Sequence, residues 1–114
     1  MKVAYVAGPY RGQGANGIVQ NILNARAVAV ELWQMGYAVV TPHLNTALMD
    51  GAAPDSVWLA GDLEIMRRCD LVVLLPGWAY SEGAVAEYLE AQRRGIPVYP
   101  WPMQRETLAL EVQP

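Results

Sequence analysis

The stretch that decides the fold is CDLVVLLPGWAYSEGAVAEYLEAQRRG, residues 69–95. Its apolar run predicts a strand over Asp70–Leu75 that is buried on both faces, and a Pro-Gly turn ends that strand. Ser81 is then a candidate N-cap for a helix over Ser81–Arg94, which Gly95 terminates. A strand, a turn and a helix in this order place a hydroxyl, free backbone N–H groups and a carboxylate around one crevice at a sheet end.

The rest of the chain repeats this alternation of strands and helices. We predict strands over Lys2–Ala7, Tyr37–Thr41 and Ile96–Tyr99, helices over Ile18–Met35 and Asp55–Cys69, and a loop over Pro42–Pro54. The pattern favours a parallel sheet covered by helices on both faces, with ligands bound beyond the carboxyl ends of its strands. For the tail, Pro100–Pro114, the pattern leaves a strand and a helical turn equally open.

The amino-acid composition of the chain disfavours several classes of function. The 114 residues are 54% hydrophobic and 17% charged, which predicts one globular domain spanning residues 1–114. The net charge of −3 and a single lysine disfavour a nucleic-acid partner, and no apolar run is long enough for a membrane partner. The one cysteine, Cys69, and the lack of a signal-peptide pattern predict a cytoplasmic protein. Four tryptophans and six tyrosines in so short a chain predict a homodimer or higher homo-oligomer.

Two acids lie on unexpected helix faces. Asp62 falls within an otherwise apolar stripe, and it either makes a structural hydrogen bond or faces the crevice. Glu87 lies at the boundary of its helix's packed face, on the side of Gly83, and is either an exposed helix residue or a second crevice carboxylate. Gly83, within the first turn, suggests close approach of a ligand or another backbone.

Other candidates for ligand contact follow the predicted strands. Ser81 at a helix N-terminus can cap the helix or bind an anion, and Arg11 is either a solvated loop residue or a grip for a phosphate. His43, the only histidine, gives no metal-ligand spacing and either contacts a ligand or makes a structural hydrogen bond. Trp78 can stack on a planar ring or lie at a surface or interface.

A glycine-rich segment matches the dinucleotide-binding pattern only superficially. Residues 12–17, GQGANG, fit G-x-G-x-x-G, but four residues separate them from the preceding strand. The acid expected after the second strand is also absent, because Thr41, Pro42 and His43 stand there. A flexible lid over the crevice is the better interpretation of residues 12–17.

Four segments together resemble the nucleoside 2-deoxyribosyltransferase superfamily, which includes 2′-deoxynucleoside 5′-phosphate N-hydrolases. They are YVAGPYRG at 5–12, PH at 42–43, GDL at 61–63, and CD at 69–70 through SEGAVAE at 81–87. The resemblance implies an α/β, flavodoxin-like three-layer sandwich with about four parallel strands in the order 2-1-3-4. It also implies that no metal or organic cofactor is needed.

The resemblance further implies roles for individual residues. Glu87 matches the glutamate that attacks the anomeric carbon, Asp62 the aspartate that assists proton delivery to the leaving base, and Tyr5 the tyrosine that orients the glutamate. Substrate contacts are expected from Gly8, Arg11, His43, Trp78, Ser81 and Gly83.

We therefore expect cleavage of the N-glycosidic bond of a nucleoside or nucleoside 5′-monophosphate, by hydrolysis or by base exchange. Arg11 and Ser81 favour the phosphorylated substrate. The alternative is a nucleotide-binding module or sensor on the same fold that has no turnover.

Overall fold

The computed structural model describes residues 1–11 and 17–112. A four-stranded sheet forms its centre, with the order β2-β1-β3-β4 and every neighbouring pair parallel. The strands are β1 (Val3–Ala7), β2 (Ala38–Val40), β3 (Leu71–Leu74) and β4 (Val98–Pro100). The predicted α/β fold and its strand order are confirmed. The two central strands, β1 and β3, are the most apolar and the most completely buried, as a sheet covered on both faces requires.

Five α-helices belong to the described residues. They are α1 (Gly17–Met35), α2 (Pro42–Asn45), α3 (Asp55–Arg67), α4 (Glu82–Arg94) and α5 (Arg105–Glu111). The helix α2 corrects the prediction of an uninterrupted loop over Pro42–Pro54, because Pro42 starts a single helical turn directly after β2. The helix α5 decides the ambiguous tail in favour of a helix. The predicted lid residues 12–16 lie outside the described residues.

The sheet separates two apolar layers, because successive side chains of a strand point to opposite faces. Ala4 and Val6 of β1 pack in one layer with residues of α1 and α5, including Leu32 and Leu108. Tyr5 and Ala7 point the other way and pack with residues of α3 and α4, including Met66 and Ala91. This alternation turns the Tyr5 side chain toward α4, where the candidate site lies.

Local signals fix the position of α4. Gly77, in the left-handed region at φ 84°, opens a single 3-10 turn over Trp78–Tyr80. Ser81 then caps α4, since its side chain accepts a hydrogen bond from the Ala84 backbone N–H, and Gly95 ends the helix at φ 72°.

Within the described residues, no helix has both the length and the apolar character to cross a membrane.

Candidate active site

A cavity of about 460 Å³ opens beyond the carboxyl ends of β1 and β2. Its wall comprises residues after β1, the start of α2, one face of α3 and the first turns of α4. This is where ligands bind in open parallel sheets, and the volume lies within the usual range of small-molecule pockets. Eight of the nine predicted site residues come together at this cavity. Gly8, Arg11, His43, Asp62, Ser81, Gly83 and Glu87 line it, and Tyr5 lies directly behind Glu87.

Glu87 is a buried carboxyl group, not an exposed helix residue. Its exposed fraction is 6%, and the Tyr5 hydroxyl donates a hydrogen bond to its Oε2. Burial raises the pKa of Glu87 to about 8, since desolvation and then the nearby Asp62 charge outweigh the lowering effect of the Tyr5 hydrogen bond. Burial and the Glu87 charge in turn raise the pKa of Tyr5, which therefore stays a hydrogen-bond donor. Glu87 is thus an acid whose proton is exchanged near neutral pH.

Asp62 is half-buried on the pocket side of α3. It makes no hydrogen bond to another described residue, so the structural hydrogen bond considered above is not observed there. Burial raises its pKa to about 6. Its charge acts on both Glu87 and Tyr5, so the three ionisable groups influence one another electrostatically. A carboxyl group with this pKa and no hydrogen-bond partner among the described residues can give or take a proton near neutral pH.

Gly8 and Gly83 both line the cavity, but the space around their Cα atoms differs. A Cβ on Gly8 would lie 2.7 Å from Leu75 side-chain atoms, so close packing of β1 against Leu75 excludes a larger residue. A Cβ on Gly83 would meet nothing within 4 Å. Gly83 stands one helical turn before Glu87 on α4, so the free space in front of it extends the cavity toward that carboxyl group.

Ser81 and Arg11 line the cavity but already have partners. The Ser81 Oγ accepts the Ala84 N–H at 3.2 Å. The Arg11 Nη2 lies 2.8 Å from Asp55 Oδ1 and 2.9 Å from Asp50 Oδ1. Hydrogen bonds to Asp55 and Asp50 raise the pKa of Arg11, which remains a cation.

His43 is buried at the start of α2, where it makes a structural hydrogen bond, one of the two roles considered for it above. Its Nε2 donates a hydrogen bond to the Pro9 carbonyl at 2.8 Å, because a carbonyl oxygen can only accept. Burial lowers the pKa of His43, so the ring is neutral at pH 7. His43 also lines the cavity beside Tyr10, whose ring centroid lies 5.9 Å away.

Trp78 is the one predicted site residue that the fold does not bring to the cavity. Its ring packs against Tyr88 with a centroid distance of 4.6 Å, at the edge of the apolar layer that the sheet forms with α3 and α4. The tryptophan in the cavity wall is Trp58, which sequence reasoning missed. The available signal was its spacing, since Trp58 precedes Asp62 by four residues on α3 and so shares its helix face.

Cys69, between α3 and β3, is a core residue. It is buried, and its Sγ donates to the Ile65 carbonyl at 3.4 Å. Over residues 1–11 and 17–112, no three His, Cys, Asp or Glu side chains are grouped so as to hold a metal ion.

Comparisons with known proteins agree with this architecture. A solved structure of a 2-deoxyribosyltransferase from the psychrotolerant bacterium Bacillus psychrosaccharolyticus aligns with a TM-score of 0.63 and 20% sequence identity. The alignment covers 86% of this chain and 70% of that chain. That enzyme is described as a biocatalyst for the synthesis of antiviral and antitumoral nucleosides. At this identity the likeness demonstrates a shared fold.

The sequence comparisons place the chain in a family. No curated protein matches it significantly. The model of a domain of unknown function, DUF4406, matches residues 1–99, which is most of the chain. The protein therefore belongs to the DUF4406 family.

Proposed function

We propose that this protein is an enzyme that cleaves the N-glycosidic bond of a nucleoside or a nucleoside 5′-monophosphate. One observation carries the proposal: the buried Glu87 carboxyl group, held by Tyr5, lies beside Asp62 at a cavity large enough for a nucleoside. Breaking this bond builds positive charge on the sugar, which a carboxylate at the anomeric carbon stabilises. It also requires a second acid for the departing base.

The two carboxyl groups divide the reaction between them. In the first step a Glu87 oxygen attacks C1′, the C1′–N bond breaks, and its electron pair leaves with the base, which takes a proton from Asp62. In the second step water or an acceptor base attacks C1′ and releases the Glu87 carboxylate. The proton lost by that nucleophile returns to Asp62, so both groups regain their starting states.

The protonation state of the pair suits this chemistry near neutral pH. With pKa values of about 6 for Asp62 and about 8 for Glu87, the pair carries one proton between these two pH values. One proton is the number that one nucleophile and one acid require. In the free protein that proton resides mainly on Glu87. The proton must pass to Asp62 before the attack, and the positive charge that then develops at C1′ stabilises the Glu87 carboxylate.

A binding module without turnover is the competing hypothesis, and the buried pair argues against it. Recognition of a nucleoside needs hydrogen bonds and a stacking surface, which other cavity residues such as Tyr10 and Trp58 can provide. It does not need two carboxyl groups with raised pKa values next to each other. Perturbed acids in a cleft are typical of catalytic sites.

The decisive experiment is a panel assay. The protein is incubated with ribonucleosides, 2′-deoxyribonucleosides and their 5′-monophosphates, with and without a free acceptor base, and released base is separated by chromatography. We expect release from at least one substrate and a loss of about a thousandfold or more in Glu87→Gln. Exchange only with an acceptor base identifies a transferase, and release without one identifies a hydrolase.

Glu90→Gln is the matched control for that variant. Glu90 is a second buried carboxylate of α4, but it pairs with Arg67 at 2.6 Å and Arg93 at 2.7 Å and does not line the cavity. Its substitution is equally isosteric and is expected to leave base release largely intact. Absence of base from every substrate, or full activity of Glu87→Gln, refutes the proposed enzyme.

We also propose that the protein is a homo-oligomer in which a second copy covers the outer side of α1. The 19-residue helix exposes an apolar stripe opposite its buried face, formed by Val19, Leu23, Val30 and Trp33. Their spacing of four, seven and three residues is typical of a helix–helix seam, which two antiparallel copies of α1 can form with each other. Light scattering of the wild-type protein is expected to show a dimer or a larger particle, whereas the Trp33→Glu variant is expected to be a monomer. A monomeric wild-type protein refutes the proposed oligomer.

A further inference from the structure

The mouth of the cavity is unusually acidic for a site that binds a nucleotide. Among the described residues that line it, Arg11 is the one cation. Three exposed acids, Asp50, Asp55 and Glu82, share this mouth, in addition to the two carboxyl groups deeper inside. A phosphate monoester carries between one and two negative charges at neutral pH, so it meets an excess of like charge there.

The Arg11 guanidinium is already paired with two carboxylates. Its Nη2 donates to both Asp50 Oδ1 and Asp55 Oδ1, and its Nη1 and Nε make longer contacts of 3.4 Å to Asp50 and 3.3 Å to Asp55. All three nitrogens of the fork thus face carboxylates. A phosphate has to displace two negatively charged partners to reach the geometry in which arginine binds it.

The second group expected to hold a phosphate, Ser81, already acts as a helix cap, although its O–H can still donate a hydrogen bond. The Ser81 hydroxyl caps α4 by accepting the Ala84 N–H. Glu82, the first residue of α4, places an additional negative charge at the helix terminus that would otherwise attract an anion. The arginine and the helix N-terminus, which carry the positive charge available to an anion, are therefore both balanced by carboxylates of this chain.

We propose that Asp50 and Asp55 are specificity-determining residues that restrict the site to nucleosides with an uncharged 5′ hydroxyl. This inference rests on the proposed function and reverses the preference that the sequence suggested. The two acids keep Arg11 occupied and leave the mouth with a net negative charge. They thereby exclude the 5′-monophosphate without touching the reacting atoms.

The test compares 2′-deoxyadenosine with its 5′-monophosphate. Wild-type protein is expected to show a kcat/KM at least about tenfold higher for the nucleoside than for the monophosphate. The reason is that the acids at the cavity mouth repel the charged phosphate over several ångströms of partly screened solvent. In the Asp50→Asn/Asp55→Asn double variant this preference falls by about tenfold. The change comes from a gain on the monophosphate and not from a loss on the nucleoside.

A matched double variant controls for net charge. Glu64→Gln/Glu106→Gln also removes two exposed acids, one of them paired with Arg68 at 3.0 Å, but neither residue lines the cavity. It is expected to keep the wild-type preference. A wild-type preference for the monophosphate that Arg11→Gln abolishes overturns the proposal, and so does an unchanged preference in the Asp50/Asp55 double variant.

A binding measurement separates this inference from the proposed function. Calorimetric titration of Glu87→Gln, in which turnover is blocked, gives the affinities of both probes. Tighter binding of the nucleoside, with the gap reduced in Asp50→Asn/Asp55→Asn/Glu87→Gln, supports the specificity role even if the wild-type protein releases no base. Equal binding of the two probes, or no binding of either, overturns it. Base release confined to monophosphates overturns the specificity role while leaving the proposed function intact.

Discussion

Replacing Tyr5 by phenylalanine tests the proposed nucleophile most directly. The substitution removes only the hydroxyl that donates to Glu87, the one hydrogen bond that this carboxyl group receives from a described side chain. That hydrogen bond lowers the pKa of Glu87 and partly offsets the effect of burial. In Tyr5→Phe the pKa of Glu87 must therefore rise above about 8.

The size of the change follows from the strength of the lost bond. A hydrogen bond to a charged group contributes about 1.5–3 kcal/mol, which corresponds to roughly one to two pKa units. If Glu87 acts as the ionised nucleophile, the ionised fraction at a fixed pH below its pKa falls by about ten- to a hundredfold. The plateau of kcat/KM between the two limbs of the pH profile falls by the same factor, and the alkaline limb moves upward by roughly one to two units.

The assay is base release from the best substrate of the panel, measured from about pH 5 to about pH 10. Tyr37→Phe is the matched control, because Tyr37 is also fully buried and its hydroxyl donates to the Leu108 carbonyl at 2.5 Å on the other side of the sheet. It loses a buried hydrogen bond of the same kind and should become less stable, but its pH limbs stay at the wild-type values.

Two results refute the reasoning in different ways. An alkaline limb that does not move shows that Tyr5 does not control the ionisation of Glu87. A limb that moves upward while the plateau keeps its height shows that Glu87 works in its protonated form, because a higher pKa does not reduce that form. The second result would make Glu87 the acid and not the nucleophile.

Three further predictions concern the same site. Asp62→Asn is expected to slow base release about 10²- to 10⁴-fold for ordinary purine nucleosides but far less for 7-methylguanosine, whose cationic base leaves without a proton; equal losses on both substrates contradict the acid role. Glu87→Gln is expected to raise the thermal unfolding midpoint at about pH 9 but not at about pH 5. Glu87 has a pKa of about 8 in the folded protein and 4.5 in the unfolded chain, so the folded protein binds more protons between these two pH values. The free energy of unfolding therefore falls by up to about 5 kcal/mol as the pH rises through this range. Gly83→Ala is expected to stabilise α4 by up to about 1 kcal/mol while raising KM, since its methyl group enters open cavity space; an unchanged KM shows that substrate does not approach there.

Much of the architecture could be predicted because periodicity alone encodes it. Continuous apolar strands separated by helices leave few options other than a parallel sheet with helices on both faces. The same periodicity identified Asp62 and Glu87, because the 3.6-residue repeat fixes which face of a helix each residue occupies. Glu90 shows the limit of this approach: the pattern assigns it to the solvated side of α4, yet Arg67, Arg93 and Arg94 cover its carboxylate.

The details that escaped prediction lie in segments without periodicity. The α2 helix, Pro42–Asn45, is a single turn and too short to leave a repeating signal. Trp78 stands in a 3-10 turn, whose exit direction depends on the φ of 84° at Gly77 and not on any pattern of side chains. Asp50 and Asp55 meet Arg11 only through the path of the chain between α2 and α3, so their ion pairs depend on tertiary structure.

The energetic cost of the Glu87 site bears on the choice between enzyme and binding module. Keeping a carboxyl group almost completely buried lowers stability wherever that group is ionised, and the Tyr5 hydrogen bond offsets only part of this cost. A protein that merely holds a neutral nucleoside gains nothing from such a group, since an amide in its place offers the same acceptor oxygen without the ionisation cost. A reaction that creates positive charge at C1′ gains from it directly, because a desolvated carboxylate stabilises that charge more strongly than a solvated one does. Retained nucleoside binding by Glu87→Gln together with lost base release is the expected result for an enzyme.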